Sequence, residues 1–324
     1  MSRRVALWQM LVAVAVFGLT PGALQAQPKP KVVASFSILA DMAREIGGER
    51  VEVQSLVGPD GDAHVFQPSP NDARAVAQAA VLIVNGLGFE GWLDRLQRSA
   101  GFKGRLVVAS TGIAPLTMEE DDHGHGHSHG HSHGGTTSTR KKAKAATPVS
   151  DPHAWQDLAN GRAYVDNIAR GLAEADPAGA AFYAQRAAAY QQRLAALDAR
   201  LRRDFAAIAR EKRRVITSHD AFAYFGKAYG VEFIPAIASS GDAEPSARQI
   251  AALIAQIRKE NVKALFVENM SSPRLIEQIG RDAGASLGGT LYSDALSPPG
   301  GPADSYVKMF EHNAAMLQAG MARN

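Results

Sequence analysis

Residues 177–210 read PAGAAFYAQRAAAYQQRLAALDARLRRDFAAIAR, with apolar side chains at Tyr183, Tyr190, Leu194, Leu197, Leu201, Phe205 and Ile208. Steps of seven, four and three between them are the period of a helix with one buried face. Asp176 is placed to cap its N-terminus, and Pro177 suits the first helical position, whose N–H has no partner in any case. Arg210, Lys212, Arg213 and Arg214 crowd the other end, where unpaired carbonyls favour cations. Unbroken, such a helix spans roughly 50 Å, long for one globular unit. By itself it would equally be a surface helix of a helical domain. Its flanks decide otherwise, because on both sides short β-branched runs alternate with helical stretches. The sequence therefore predicts an α/β protein of two lobes, each built on a parallel sheet, with this helix as the strut between them.

On the N-terminal side the extended runs fall at 32–36, 51–57, 80–85 and 106–110. Helices are expected at 38–46, from the Ser69-Pro70 start, and at 89–98, where Trp92 and Leu96 face the core. Beyond the strut, strands are expected at 214–218, 231–238, 264–267 and 287–292, with helices at 221–229, 244–259 and 273–283. An amphipathic terminal helix carries Tyr306, Met309, Phe310, Met316 and Leu317.

A chain of 324 residues, 46% hydrophobic, has material for two domains. Residues 1–26 have the form of a secretory signal: Arg3 and Arg4, an apolar run from Leu11 to Leu19, the breakers Pro21 and Gly22, then Ala26 at a cleavage point. The apolar run is shorter than the roughly 20 residues a spanning helix needs. The net charge of +3 falls to about +1 once Arg3 and Arg4 leave with this segment, which gives no ground for a nucleic-acid partner. With no cysteine, the chain has no disulfide, no thiolate ligand and no lipid-modified N-terminal cysteine. A soluble periplasmic protein follows for a Gram-negative source.

Four residues then stand out by position. His64 lies in the turn-rich stretch Gly58-Pro59-Asp60-Gly61-Asp62-Ala63-His64 that follows a strand, where α/β proteins gather ligand-binding groups. His219 follows the strand Val215-Ile216-Thr217-Ser218 in the same way, and Asp294 ends the run before the Gly/Pro-rich loop. His153 sits behind Pro152 and ahead of the helix containing Leu158, Ile168 and Leu172. Alone, His64 reads as a surface residue and Asp294 as a solvated or capping carboxylate, while His153 reads equally as a ligand or as a capping or surface residue. Glu268, at a strand end, reads as structural, and His312 as a surface residue of the last helix. Facing lobes would bring the first four together beyond the carboxyl ends of their strands, and three imidazoles with one carboxylate complete a tetrahedral zinc shell. Between Thr111 and Pro148 the periodic pattern stops. There Glu119, Glu120, Asp121 and Asp122 lead into His123, His125, His127, His129, His131 and His133, alternating with Gly or Ser. Such a segment buries no apolar surface, is expected to be disordered over about 115–148, and reads as an auxiliary metal-collecting loop.

These phrases, with Ala34-Ser35-Phe36, Val65-Phe66-Gln67-Pro68-Ser69-Pro70, Ser218-His219-Asp220-Ala221-Phe222, Phe266-Val267-Glu268 and Leu291-Tyr292-Ser293-Asp294-Ala295-Leu296, resemble the periplasmic zinc/manganese solute-binding proteins of ABC importers over nearly the whole mature chain. The resemblance implies an N-terminal lobe at 27–176, a rigid linking helix at 177–211 and a C-terminal lobe at 212–324, with metal held in the cleft by His64, His153, His219 and Asp294. It also implies a monomer that delivers its metal to a membrane permease with a cytoplasmic ATPase, and the His-rich insertion resembles that of the zinc branch. Manganese-binding relatives commonly carry glutamate at the place of His219, and imidazole suits Zn²⁺ where Mn²⁺ prefers oxygen, so zinc is expected ahead of manganese. Certain zinc-binding relatives carry a second-lobe disulfide that this chain lacks. A free-standing periplasmic zinc chaperone would share the same site. An enzyme is not expected: four protein ligands leave no open position for a catalytic water, and no His-Glu-x-x-His helix or nucleophile elbow occurs.

Overall fold

The computed structural model describes residues 28–119, 148–237 and 245–324. The chain opens with β1 (Lys31–Phe36), α1 (Ser37–Gly47), β2 (Glu52–Val57), α2 (Pro70–Gln78), β3 (Val81–Val84), α3 (Leu93–Ala100) and β4 (Arg105–Val108). Next come the short strands β5 (Thr117–Glu119) and β6 (Pro148–Ser150), then α4 (Leu158–Ala175) and the long α5 (Ala180–Ala206). The second half is β7 (Arg214–His219), α6 (Ala223–Tyr229), β8 (Glu232–Ile237), α7 (Ala247–Glu260), β9 (Ala264–Glu268), α8 (Pro273–Ala283), β10 (Ser286–Leu291) and α9 (Tyr306–Met321). Two four-stranded parallel sheets result, ordered β2-β1-β3-β4 and β10-β9-β7-β8. The predicted two-lobe α/β architecture is the observed one. Parallel strands covered by helices must be apolar on both faces, and β1 and β9 are buried almost end to end.

The strut is shorter than its sequence pattern. Residues Pro177–Gly179 form a 3₁₀ turn, and α5 proper has 27 residues, about 40 Å at the helical rise. Asp176 does not cap it. Its Oδ2 is already engaged by Arg50 Nε at 3.0 Å, Arg50 Nη2 at 2.7 Å and the Tyr183 hydroxyl at 2.7 Å. At the far end one of the four expected cations meets the open carbonyls: Arg213 donates to Ile208 O at 2.7 Å and Ala206 O at 3.0 Å, while Arg214 turns to Glu232 at 2.8 Å. The predicted stripe is buried, and one continuous apolar cluster runs from α1 through α5 to α9. Arginines seven residues apart tie the outer side of the strut to both lobes. Arg186 Nε donates to Glu45 O at 2.7 Å, Arg193 meets the Glu45 carboxylate, and Arg200 meets Glu311 at 2.9 Å. Exposed pairs of this kind contribute little energy, but they fix orientation.

Two local differences matter near the site. The expected helix at 89–98 begins only at Leu93, because Gly86, Leu87 and Gly88 all have positive φ and turn the chain back on itself. That turn returns the buried Glu90 carboxylate to the N–H groups of Asn85 (2.6 Å) and Gly86 (3.1 Å) and to the Ser35 hydroxyl (2.7 Å). The segment expected to be disordered has an ordered base: β5 and β6 pair antiparallel, and Leu116 N–H donates to the Tyr224 hydroxyl at 2.9 Å. Its histidines, like residues 1–26, lie outside the described residues.

The lobes also meet at α9. Asp41 on α1 accepts the Tyr306 N–H at 2.8 Å, and burial pushes the Asp41 carboxyl up to about 6, against the lowering by that hydrogen bond. A carboxyl bound more tightly to its proton in the fold than in the unfolded chain opposes folding once ionised, and the cost fades as pH falls from 6 toward 3.8. Asp41→Asn is expected to raise metal-free stability at pH 7.5 by about 1–2 kcal/mol and to be neutral near pH 4. Thermal melts at the two pH values check this. Equal effects at both would show that charge is not the cause.

Candidate metal centre

The two sheets present the carboxyl ends of their strands to one another, and the four singled-out residues meet there. His64 is carried by the loop after β2, its backbone N–H donating to Asp62 Oδ1 at 2.8 Å. His153 lies between β6 and a 3₁₀ turn at Ala154–Gln156. His219 is the last residue of β7, and Asp294 follows β10. One ligand atom from each falls within 4.8 Å of all the others.

Asp294 is the hub. Its Oδ2 lies 3.2 Å from His64 Nε2 and 3.1 Å from His219 Nε2, and its Oδ1 lies 3.7 Å from His153 Nε2. His153, His219 and Asp294 are buried and His64 is 13% exposed, so among these four residues it is His64 that solvent reaches. Aromatic rings wall the first-lobe side: Phe89 meets His64 edge-on at 4.6 Å and Trp155 meets His153 at 5.3 Å.

Carboxylates behind the rings set their orientation. Asp151 Oδ1 accepts both the His153 N–H at 2.9 Å and the ring Nδ1–H at 2.8 Å. A carboxylate only accepts, so the neutral His153 ring is protonated at Nδ1 and turns the lone pair of Nε2 into the centre. Glu268 holds His219 similarly. Its Oε1 accepts the His219 N–H at 2.9 Å, and its Oε2 lies 2.6 Å from Nδ1, a close ion-pair contact outside linear hydrogen-bond geometry. Buried imidazoles usually lose basicity, but here the carboxylates of Glu268 and Asp294 outweigh burial and raise His219 well above its ordinary value. In turn, against its own burial, Asp294 is held well below the usual carboxylate range by His219 and His153.

The structure brings the four residues singled out in the sequence together; sequence reasoning missed Asp151 as a partner and set Glu268 aside as structural. What ties Glu268 to His219 is the sheet order. β7 pairs with β9 in the register Ile216↔Leu265, so counting three residues along each strand brings His219 opposite Glu268. His312 is half-buried on α9 and bonds Thr290 O at 2.9 Å, and it is not among the four residues that meet in the cleft.

The donor set fits a divalent cation. His153 Nε2 and Asp294 Oδ1 are both buried, both acceptors, and neither has a hydrogen-bond partner. Two lone pairs facing across 3.7 Å repel unless a positive charge lies between them. A tetrahedron with metal–ligand arms near 2.0 Å has edges of roughly 3.3 Å, close to the 3.2 and 3.1 Å from Asp294 Oδ2 to His64 Nε2 and His219 Nε2.

Residues 32–320 match the family model described as zinc-uptake complex component A, periplasmic (ZnuA). The chain belongs to that family. Its relatives include the manganese-binding lipoprotein MntA of Halalkalibacterium halodurans, 32% identical over 90% of this chain and 89% of the relative. They also include the iron ABC transporter substrate-binding lipoprotein MtsA of Streptococcus pyogenes, 32% identical over 91% of this chain and 90% of its own. The periplasmic zinc-binding protein TroA of Treponema pallidum superposes with a TM-score of 0.79 at 27% identity, covering 91% of this chain and 99% of TroA. The ZnuA family is one of metal-binding, substrate-binding components of ABC transporters, and this chain is of that class. Its relatives are named for manganese, iron and zinc, so membership leaves the metal open.

Proposed function

We propose that this protein captures Zn²⁺ outside the cytoplasmic membrane, in the periplasm, and hands it to the permease of an ABC importer. His64, His153, His219 and Asp294 are the ligands. The observation that carries this reading is the pair of facing, unpartnered acceptors, His153 Nε2 and Asp294 Oδ1, within a group of three imidazoles and one carboxylate. Three nitrogen donors favour zinc over manganese, which prefers oxygen. Manganese capture is the second reading, favoured by relatives such as MntA. Four protein donors around one ion leave no position for an activated water, which fits a carrier and not a hydrolase.

Residues His123, His125, His127, His129, His131 and His133 form the collecting loop. Ordering a Gly/Ser-rich chain around an ion costs about 1–2 kcal/mol per fixed residue, so this loop binds more weakly than the cleft. The test is metal analysis of untagged protein, with competition titration by zinc and manganese, on the full chain and on a variant lacking residues 121–135. The full chain is expected to hold one ion tightly and further zinc weakly, with zinc preferred. Deletion is expected to remove only the weak sites. A manganese preference would overturn the zinc assignment, and loss of the tight site on deletion would overturn the division of roles.

A further inference from the structure

We infer that Gln156, acting with Trp155, is a positioning residue that latches the Asp294 segment across the cleft and sets how long the metal stays. This rests on the metal-carrier reading above. The carbonyl of Ser293, one peptide before Asp294, accepts two hydrogen bonds from the opposite lobe: Trp155 Nε1 at 2.9 Å and Gln156 Nε2 at 2.7 Å. Both donors are buried, and Ser293 is fully so. Two donors saturate the lone pairs of that oxygen, leaving it nothing to gain from water while the lobes are together. The donors stand two and three residues after His153, so the latch joins side chains of one lobe's ligand loop to the backbone of the other's.

The Asp294 segment is held from both sides. The first lobe adds the Ser37 hydroxyl, which accepts Leu296 N–H at 2.9 Å, and the Asp60 N–H, which donates to Leu296 O at 3.0 Å. Its own lobe holds it by Asn313, which bonds both backbone groups of Tyr292, and by Asn269, which reaches Ala295 O at 3.3 Å. When the lobes part, the bonds from the first lobe break and those from its own lobe remain. The two donors on Ser293 O therefore exist only in the closed state. An interaction confined to the closed state slows release and leaves capture by the open state unchanged.

Gln156→Met keeps the side-chain length and removes the donor. Stopped-flow release of zinc into excess chelator is expected to be about tenfold faster in this variant, with capture within about twofold of the unaltered protein. Trp155→Phe removes the other donor and is expected to act in the same direction. Gln191→Met is the control: Gln191 Nε2 also donates to a backbone carbonyl, Arg162 O at 3.2 Å, but between α4 and α5. Release from it is expected to be unchanged. An unaltered release rate in Gln156→Met, or equal acceleration in Gln156→Met and Gln191→Met, overturns the latch alone. Unchanged zinc affinity in His219→Ala overturns the metal site itself, and the latch with it.

Discussion

His219→Ala is expected to lose nearly all stabilisation by zinc. An ion bound only by the folded protein raises its stability by about 4 kcal/mol at a thousandfold excess over the dissociation constant. Without the imidazole, the remaining donors are two rings and a carboxylate, and the rise measured by thermal melts at the same zinc concentration should nearly vanish. The substitution also leaves Glu268 as a buried carboxylate without its cationic partner, a loss that typically costs about 3–5 kcal/mol in the metal-free protein. Metal loss and fold loss are therefore separated by the double variant His219→Ala/Glu268→Gln. It should recover much of the metal-free stability and still fail to respond to zinc. A zinc response in the double variant equal to that of the unaltered protein would remove His219 from the site.

The second large effect is a pH dependence of opposite sign in the metal-free and zinc-loaded protein. His219 is raised above its unfolded value by Glu268 and Asp294, so its contribution to metal-free stability is complete below about 6.5 and is lost as pH rises through the folded value. Asp294 is depressed, so its contribution is complete above its ordinary value of 3.8 and is lost as pH falls through the folded one. Metal-free stability should therefore be highest in the window between these ordinary values and decline on the alkaline side. Zinc must displace the proton from His219 Nε2, so its affinity should climb with pH by up to about tenfold per unit while that proton is bound. Melting temperatures with and without zinc from pH 5 to 8 should diverge steadily. A constant gap across that range would show that no site proton is exchanged for the ion.

Much of this site was legible because strands and turns announce themselves. The run before His219 is β-branched, and the Gly/Pro/Asp-rich turn before His64 can only be a loop, so both were placed at strand ends without coordinates. The carboxylates behind the rings were not legible. Nothing local distinguishes Glu268, which grips a buried imidazole, from any acid that ends a strand; the difference lies in which strand sits beside it, and sheet order is a tertiary fact. The true length of the strut was hidden likewise, because Asp176 is a good cap by residue type and is diverted by Arg50, distant in sequence. Gln156 carries no sign of a role until Ser293 is seen opposite it.

The hub of the site is also its last part to be made. A ribosome emits His64 first and Asp294 some 230 residues later, after every strand of both sheets. Until that late segment arrives, the growing chain holds the imidazoles without the one carboxylate that faces all three, and α9, which pins the lobes together through Tyr306, has yet to form. Tight binding is thus withheld from every incomplete length of the polypeptide. On the proposed ligand set, retention of the ion would record that the Asp294 segment has been made and has folded into place.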